Sequence, residues 1–380
     1  MGARCAGAAT ALLLAQQGLK VLAIDRQPEG SDTLSTHALM RIGVFLLQRW
    51  GVLSDLLSAG TPLIRRTTFH FGEHKLDVPI KRSHGVDALV APRRTRLDWL
   101  LVEHARAAGA EIRFGVTLVA PVRSNAGRGI GATTQQPDGT RAEVRCGLLV
   151  GVDGLRSAVA EAVQAPTLWE AQHSSSLIYG FWKGLEQGGY HWHYALDASV
   201  GVVPTDDGQT CVFAVTSDSR MNGPLGQDAM SAYKQLLDEA APGFGRAPST
   251  PCRAPPPRLL GSQGLHALGS WPGLGAVGDA GYFKDRLTSH GISDAFRDAE
   301  LLAAAMVEGT EAALARYRAE RDAPSTDLFR VADEIASFAW DLDAIQRHLE
   351  RLSAAMKTEL ASLATRAPGA AAVRLSSYAA

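Results

Sequence analysis

The sequence predicts an α/β fold. A Rossmann-like dinucleotide-binding domain, its first strand apparently truncated, carries an inserted β-rich substrate domain and ends in a helical C-terminal region. Three observations predict it. A glycine loop, Met1-Gly-Ala-Arg-Cys-Ala-Gly7, runs into an apolar helix and then a buried-strand run that ends at Asp25, which is the second half of a βαβ nucleotide-binding unit. Pieces of similar character return at 94–157 and 270–310. The stretch between them, roughly 165–260, is strand-rich.

The elements follow in order. Read as GxGxxG, the loop has Gly2, Arg4 and Gly7 at its glycine positions, and Asp25 lies 18 residues after Gly7. Glycines there allow a tight turn and close helix–strand packing, the helix N-terminus faces a pyrophosphate, and the acid takes a ribose hydroxyl. Such a loop normally follows an apolar strand, yet only Met1 precedes Gly2. We therefore expect the natural chain to begin several residues upstream. Helix is expected over 8–17 and, from Leu39, Val44, Leu47 and Trp50, over 35–60. Strands are expected over 66–80, helix over 94–108, and a strand over 111–122. Pro137-Asp-Gly139 signals a hairpin. In the middle, strands are expected at 176–185, 190–195, 200–204 and 210–215, before a proline-rich connector at 246–258. The resulting division is 1–64, 94–164 and 263–310 for nucleotide binding, with 65–93 and 165–262 for substrate. Helices at 311–364 and a flexible tail at 365–380 complete the chain.

Composition narrows the class. A net charge of −1 over 380 residues gives no general pull toward nucleic acid. The longest apolar runs fall far short of the roughly 20 residues of a membrane span. Four widely spaced cysteines (Cys5, Cys146, Cys211, Cys252) contain no CxxC pair, which fits a reducing cytoplasm and neither a zinc site nor a disulfide framework.

Three further segments follow the loop in order: Arg94-Thr-Arg-Leu97-Asp98 at a helix start, Asp153-Gly154-Leu-Arg156-Ser157, and Gly278-Asp279-Ala280. With the loop they resemble the flavoprotein monooxygenase family of the p-hydroxybenzoate hydroxylase type, which includes geranylgeranyl reductase-like and halogenase branches. The resemblance implies FAD as cofactor, NADH or NADPH as a transient reductant, and molecular oxygen and a small molecule as substrates. It also implies residue roles. Gly2, Arg4 and Gly7 would form the pyrophosphate loop, Asp25 would take a ribose hydroxyl with Arg26 also at the cofactor, Arg41 would neutralise the pyrophosphate, and Arg94 would approach the ribityl–phosphate region. Asp153 would contact the pyrophosphate side and Asp279 the ribityl chain, with Gly291 and Ile292 against the flavin ring at a helix N-terminus. The implied reaction is hydroxylation or epoxidation of an aromatic or polycyclic substrate through a flavin hydroperoxide. Reduction of an isoprenoid double bond and a non-redox, FAD-scaffolded cyclisation are the alternatives. The chain departs from the family pattern at Arg286, where a proline is common, and at Ala160, where an arginine is frequent. A halogenase is disfavoured, because the Trp-x-Trp-x-Ile-Pro signature is missing and Lys183 is a weak catalytic candidate.

Several residues carry both a functional and an ordinary reading. His37 and His290 are the acid–base candidates, although a surface or capping histidine is the commoner case. Trp182, Tyr190, Trp192, Tyr194 and Phe213 are expected to line a substrate pocket, a pattern that core packing also explains. His191 and His193 share a strand face but lack a third ligand, so no metal is expected. Cys5 is read as a packing residue. Gly273-Leu-Gly-Ala-Val-Gly278 matches GxGxxG literally but has no strand before it, and it is set aside as a nucleotide site.

Overall fold

Helix Cys5–Gln16 is buried on nearly every side. Its run of alanines makes it thin enough to lie between helices Arg94–Ala107 and Gly291–Glu308, and a helix apolar all round belongs in a core. It stops at Gly18, whose φ of 80° ends the helical turn. The computed structural model describes residues 1–185, 188–244, 258–259, 261–267 and 269–366. Most of the proline-rich connector, Cys252 and the tail from 367 lie outside the described residues.

The nucleotide-binding sheet is split. Strand Leu22–Asp25 pairs in parallel with Glu111–Phe114, and Leu149–Gly151 pairs in parallel with Leu274–Ala276. Between the two halves lie Met1 and Gly2. Gly2 N–H donates to the Ile24 carbonyl at 2.7 Å, the Met1 ammonium to Val150 O at 2.7 Å, and Val152 N–H to Met1 O at 3.0 Å. Two residues thus bridge the place of the central first strand, and burial pushes the pKa of the Met1 ammonium down. Gly273–Gly278 forms a strand and a turn in this sheet. A Cβ at Gly273 would overlap the Gly129 carbonyl, so this glycine serves strand packing.

The inserted sheet contains seven strands among the described residues, in the spatial order Arg258–Leu259, Ser175–Lys183, Gln209–Ser217, Ala198–Pro204, Tyr190–Ala195, Arg66–Phe71, His74–Pro79. All pairings are antiparallel except that of Tyr190–Ala195 with Arg66–Phe71, which is parallel. Alternation along Ser175–Lys183 sends Leu177, Tyr179 and Phe181 into the main core, shared with the nucleotide-binding part. Ile178 and Trp182 point the other way, beneath helix Ala229–Ala240.

Three expectations need correction. Residues 35–60 are not one helix: 31–40 is irregular and helices Arg41–Arg49 and Leu53–Ser58 follow. The strand over 111–122 breaks at Gly115, with φ 73°, into Glu111–Phe114 and Thr117–Arg123. The strand-rich middle also holds helix Ala229–Ala240, begun by an Asp228 side-chain cap. Helices Glu311–Ala336 and Leu342–Ala364, capped by Thr310 and Asp341, close the described chain. No helix among the described residues is long and apolar enough to cross a membrane.

Candidate functional site

A cavity of about 690 Å³ opens where the glycine loop, the irregular 33–38 segment, the Asp153 turn and the start of helix Gly291–Glu308 meet. That size lies within the range of roughly 300–1,000 Å³ usual for cofactor pockets. Two long helices begin on it, at Cys5 and at Gly291, and each presents the free N–H groups and partial positive charge of a helix N-terminus. Its charged lining consists of six cations (Arg4, Arg26, Arg94, Arg156, Lys284, Arg286) against three acids (Asp25, Asp153, Asp279). Both features favour an anionic ligand such as a pyrophosphate.

The loop explains its own composition. Gly2 has φ 114°, and a Cβ at Gly7 would overlap the Gly2 carbonyl oxygen, so helix and loop touch only because neither carries a side chain there. Arg4, at the position where a glycine is usual, has an ordinary extended backbone with φ −83°. Its guanidinium turns out to the Thr33 hydroxyl. Asp25 accepts from Ala3 N–H at 2.9 Å and Gln27 N–H at 2.8 Å, which locks the loop onto the strand end while the residue still borders the cavity.

Arg94 is buried and holds Asp98 through two hydrogen bonds, of 3.1 and 3.0 Å. Burial acts against its charge, but Asp98, Cys5 and Asp279 outweigh it and raise its pKa. Asp153 accepts from Ser157 Oγ and Ala158 N–H, each at 2.7 Å, and so caps the short helix Ala158–Ala162 at the cavity edge. Asp279 sits on the Gly278 turn beside Gly291. Burial, reinforced by Asp294 and opposed by Lys284, Arg286 and Arg94, pushes its carboxyl up to about 6.

Of the residues singled out in the sequence, Gly2, Arg4, Asp25, Arg26, His37, Arg94, Asp153, Asp279, Gly291 and Ile292 line this cavity, and Gly7 buttresses it from behind. The others do not. Arg41 opens its helix but donates to the Val86 carbonyl at 2.7 Å, because the 33–38 segment, and not that helix, abuts the cavity. His290 is fully buried, with Nε2 2.8 Å from Glu359, so its ring faces the core. Tyr190 donates to Val90 O at 2.8 Å, Trp192 packs edge-on to Phe213, and Tyr194 is in the core. Trp182 lies on the opposite sheet face, bonded to Tyr233. These aromatics pack the protein and do not line the cavity.

His37 has φ 64° and is buried, and neither ring nitrogen has a partner. Burial first, then Arg93 and Arg94, push its pKa well below the usual histidine value, so the ring is neutral. Its ring centroid is 5.4 Å from that of Phe181, over which Arg93 sits at 3.8 Å.

Sequence reasoning missed a buried ionic network behind the site. Arg297 reaches Asp294 at 3.1 Å, Asp298 at 2.7 Å and Glu359 at 2.6 Å, and Lys284 pairs with Asp294. Asp298 accepts from Gly278 N–H at 3.0 Å, which ties the Asp279 turn to helix Gly291–Glu308, and the Arg297–Glu359 pair joins that helix to Leu342–Ala364. No local spacing announces contacts between residues 62 and 69 positions apart.

Comparison with known proteins agrees with this geometry. The family described as an FAD binding domain matches residues 1–244. Aklavinone 12-hydroxylase RdmE of Streptomyces purpurascens is 31% identical over 43% of this chain, and the match spans 34% of that enzyme, about a third of its length. Three solved structures share the fold at low identity. The flavin-dependent brominase Bmp2 has a TM-score of 0.79 at 17% identity, covering 99% of this chain and 97% of its own. The myxobacterial chondrochloren halogenase CndH has 0.77 at 19%, covering 90% and 84%. PqsL, described as a probable FAD-dependent monooxygenase of Pseudomonas aeruginosa, has 0.74 at 16%, covering 94% and 98%.

Proposed function

The chain belongs to the FAD binding domain family, and from that membership we propose that it is an NAD(P)H-dependent monooxygenase that inserts oxygen into an aromatic or polycyclic small molecule. The observation that carries the reading is the cavity, in which two helix N-termini, a glycine cradle and an excess of cations converge. His37 and Ser289 line it with buried polar atoms that have no protein partner, as expected where a ligand supplies the missing hydrogen bonds. The residues therefore fit FAD. When bound, the flavin supplies the redox chemistry, taking two electrons from a nicotinamide and passing them to molecular oxygen.

The remaining tasks fall to the chain. The positive end of helix Cys5–Gln16, with Arg4 nearby, would favour the diphosphate. Asp25 orders the loop and offers its edge to a ribose, and Asp279 accepts from the ribityl hydroxyls. The N-terminus of helix Gly291–Glu308 favours negative charge on the reduced ring. Leu177 borders the cavity and Tyr179 and Phe181 continue its sheet face, giving an apolar wall that excludes water from the reacting region. His37, neutral and unpartnered beside that wall, is the group placed to take a phenolic proton. The nicotinamide binds transiently on this reading, since Gly273–Gly278 is committed to strand packing.

The test is to load the full chain with FAD and follow NAD(P)H oxidation against phenols, polyketides and prenyl lipids in labelled oxygen gas. Substrate-stimulated oxidation with one labelled oxygen in the product is the expected result. Anaerobic saturation of a prenyl double bond would replace this reading with a reductase. Turnover that persists with a redox-dead flavin would replace it with a scaffolded cyclisation.

A further inference from the structure

The face of the inserted sheet turned away from the cavity carries three histidines from strands far apart in the chain. Where Arg66–Phe71 runs parallel to Tyr190–Ala195, His70 lies directly opposite His193, and Thr68 opposite His191. Alternation puts His70, His191 and His193 on one face, while Tyr190 and Trp192 take the other. His70 Nε2 is 3.2 Å from His191 Nδ1, and the His70 and His193 rings stack with centroids 4.0 Å apart. One nitrogen of each ring lies within 4.8 Å of the other two, and all three residues are half-buried.

The three rings bond to little else. Among the described residues, no carboxylate, carbonyl or hydroxyl is hydrogen-bonded to any of them. Asp77, the acid whose charge reaches His70 and His191, is engaged by Thr68 at 2.6 Å and Lys75 at 3.4 Å.

We propose that His70, His191 and His193 form a binding site for a zinc-type divalent cation, with water completing a tetrahedral shell. Three imidazoles and one open position suit Zn²⁺, and the donor set disfavours Mg²⁺ and Ca²⁺, which take oxygen ligands. Zinc–nitrogen bonds of about 2.0–2.1 Å in a tetrahedron set ligand nitrogens roughly 3.3–3.4 Å apart, close to the His70–His191 separation. The metal must lie in the plane of each ring, so the stacked His193 ring turns about its Cβ–Cγ bond on binding, a soft torsion in histidine. The ion clips the sheet's parallel pairing, between segments whose histidines are 121 positions apart. Because the site and the cavity lie on opposite faces of the sheet, the clip does not touch the flavin.

The test uses the full-length, FAD-loaded protein, stripped with a chelator and titrated with ZnCl₂ by calorimetry. One equivalent should bind and raise the melting temperature, as any ligand of the folded state does. Co²⁺ in its place should give the intense visible bands of a tetrahedral ion. His70→Ala and His193→Ala should each weaken Zn²⁺ at least about a hundredfold, the upper end of what losing a mere orienting partner costs, with flavin content unchanged. His193 packs edge-on to Phe244, so His193→Gln serves as the second variant, scored only if its flavin occupancy matches wild type. Wild-type protein that takes up no Zn²⁺ at micromolar concentration, or variants that bind it as wild type does, overturns the site.

Discussion

At the scale of single residues, the site depends on groups whose charge state the fold has moved. Asp279 is held near pKa 6, above the roughly 3.9 of an unfolded aspartate. A carboxyl raised in this way adds stability below its unfolded value and loses it as pH climbs through the folded one. Asp279→Asn should therefore stabilise the flavin-free protein at pH 7, by at most about 3 kcal/mol before solvent screening reduces it. The same change should weaken FAD about ten- to a hundredfold, the cost of a hydrogen bond to a charged acceptor. Thermal melts with and without flavin separate the two effects, and equal shifts in both would leave the carboxylate no role at the ribityl chain. His37 runs in the opposite direction. Its folded pKa lies below the ordinary 6.5, so the ring stays neutral in weak acid and its contribution to stability fades only as pH falls below the unfolded value. His37→Gln should lower kcat/KM about 10²–10⁴-fold and remove the acid limb of the pH–rate profile, with flavin content intact. An unchanged profile would return His37 to a packing role.

At the scale of elements, helix Leu342–Ala364 joins the ionic network behind the cavity through Glu359. Burial alone would raise this carboxyl, but His290 and Arg297 outweigh burial and bring it down to about 2. Its contribution is therefore complete above the unfolded pKa and is lost as pH falls from there toward 2. Glu359→Gln should cost about 3–5 kcal/mol, as breaking a buried ion pair does, and should flatten acid unfolding over that interval. A wild-type acid profile in the variant would mean that Arg297 is satisfied by Asp294 and Asp298 alone. Elements with strong local pattern were legible: the glycine loop, helix Arg94–Ala107, the 136–140 turn and each strand from 175 to 217 lie within a few residues of expectation. Helix Ala229–Ala240 was legible and overlooked, since Ala232, Tyr233, Leu236, Leu237 and Ala240 repeat at helical spacing behind an Asp228 cap. Segment 31–40 was not legible. Its apolar residues are spaced as in a helix, yet the cavity draws Thr33 to Ala38 into an irregular path, with His37 in the left-handed region.

At the scale of the whole molecule, sequence patterns located the cavity but not its back wall. The fingerprint residues border it because their roles are local, whereas Arg41 was carried over from the family resemblance and His290 and the aromatic set were assigned by type, and only the tertiary contacts show where they point. The His70 partner of His191 and His193 was hidden for the same reason. Cross-strand neighbours separated by 121 positions leave no periodic trace. One consequence concerns the order in which the molecule is made. The two helix starts on the cavity belong to opposite ends of the chain, Cys5 near its beginning and Gly291 well into its last third. A ribosome adding about 5–20 residues per second finishes the first long before the second exists. The nascent chain therefore exposes half a cradle until Gly291 has been made, and flavin can be captured only after that. In a cell short of riboflavin, the protein should accumulate as complete, open and protease-sensitive chains, and vitamin supply, more than transcription, would set how much of it survives.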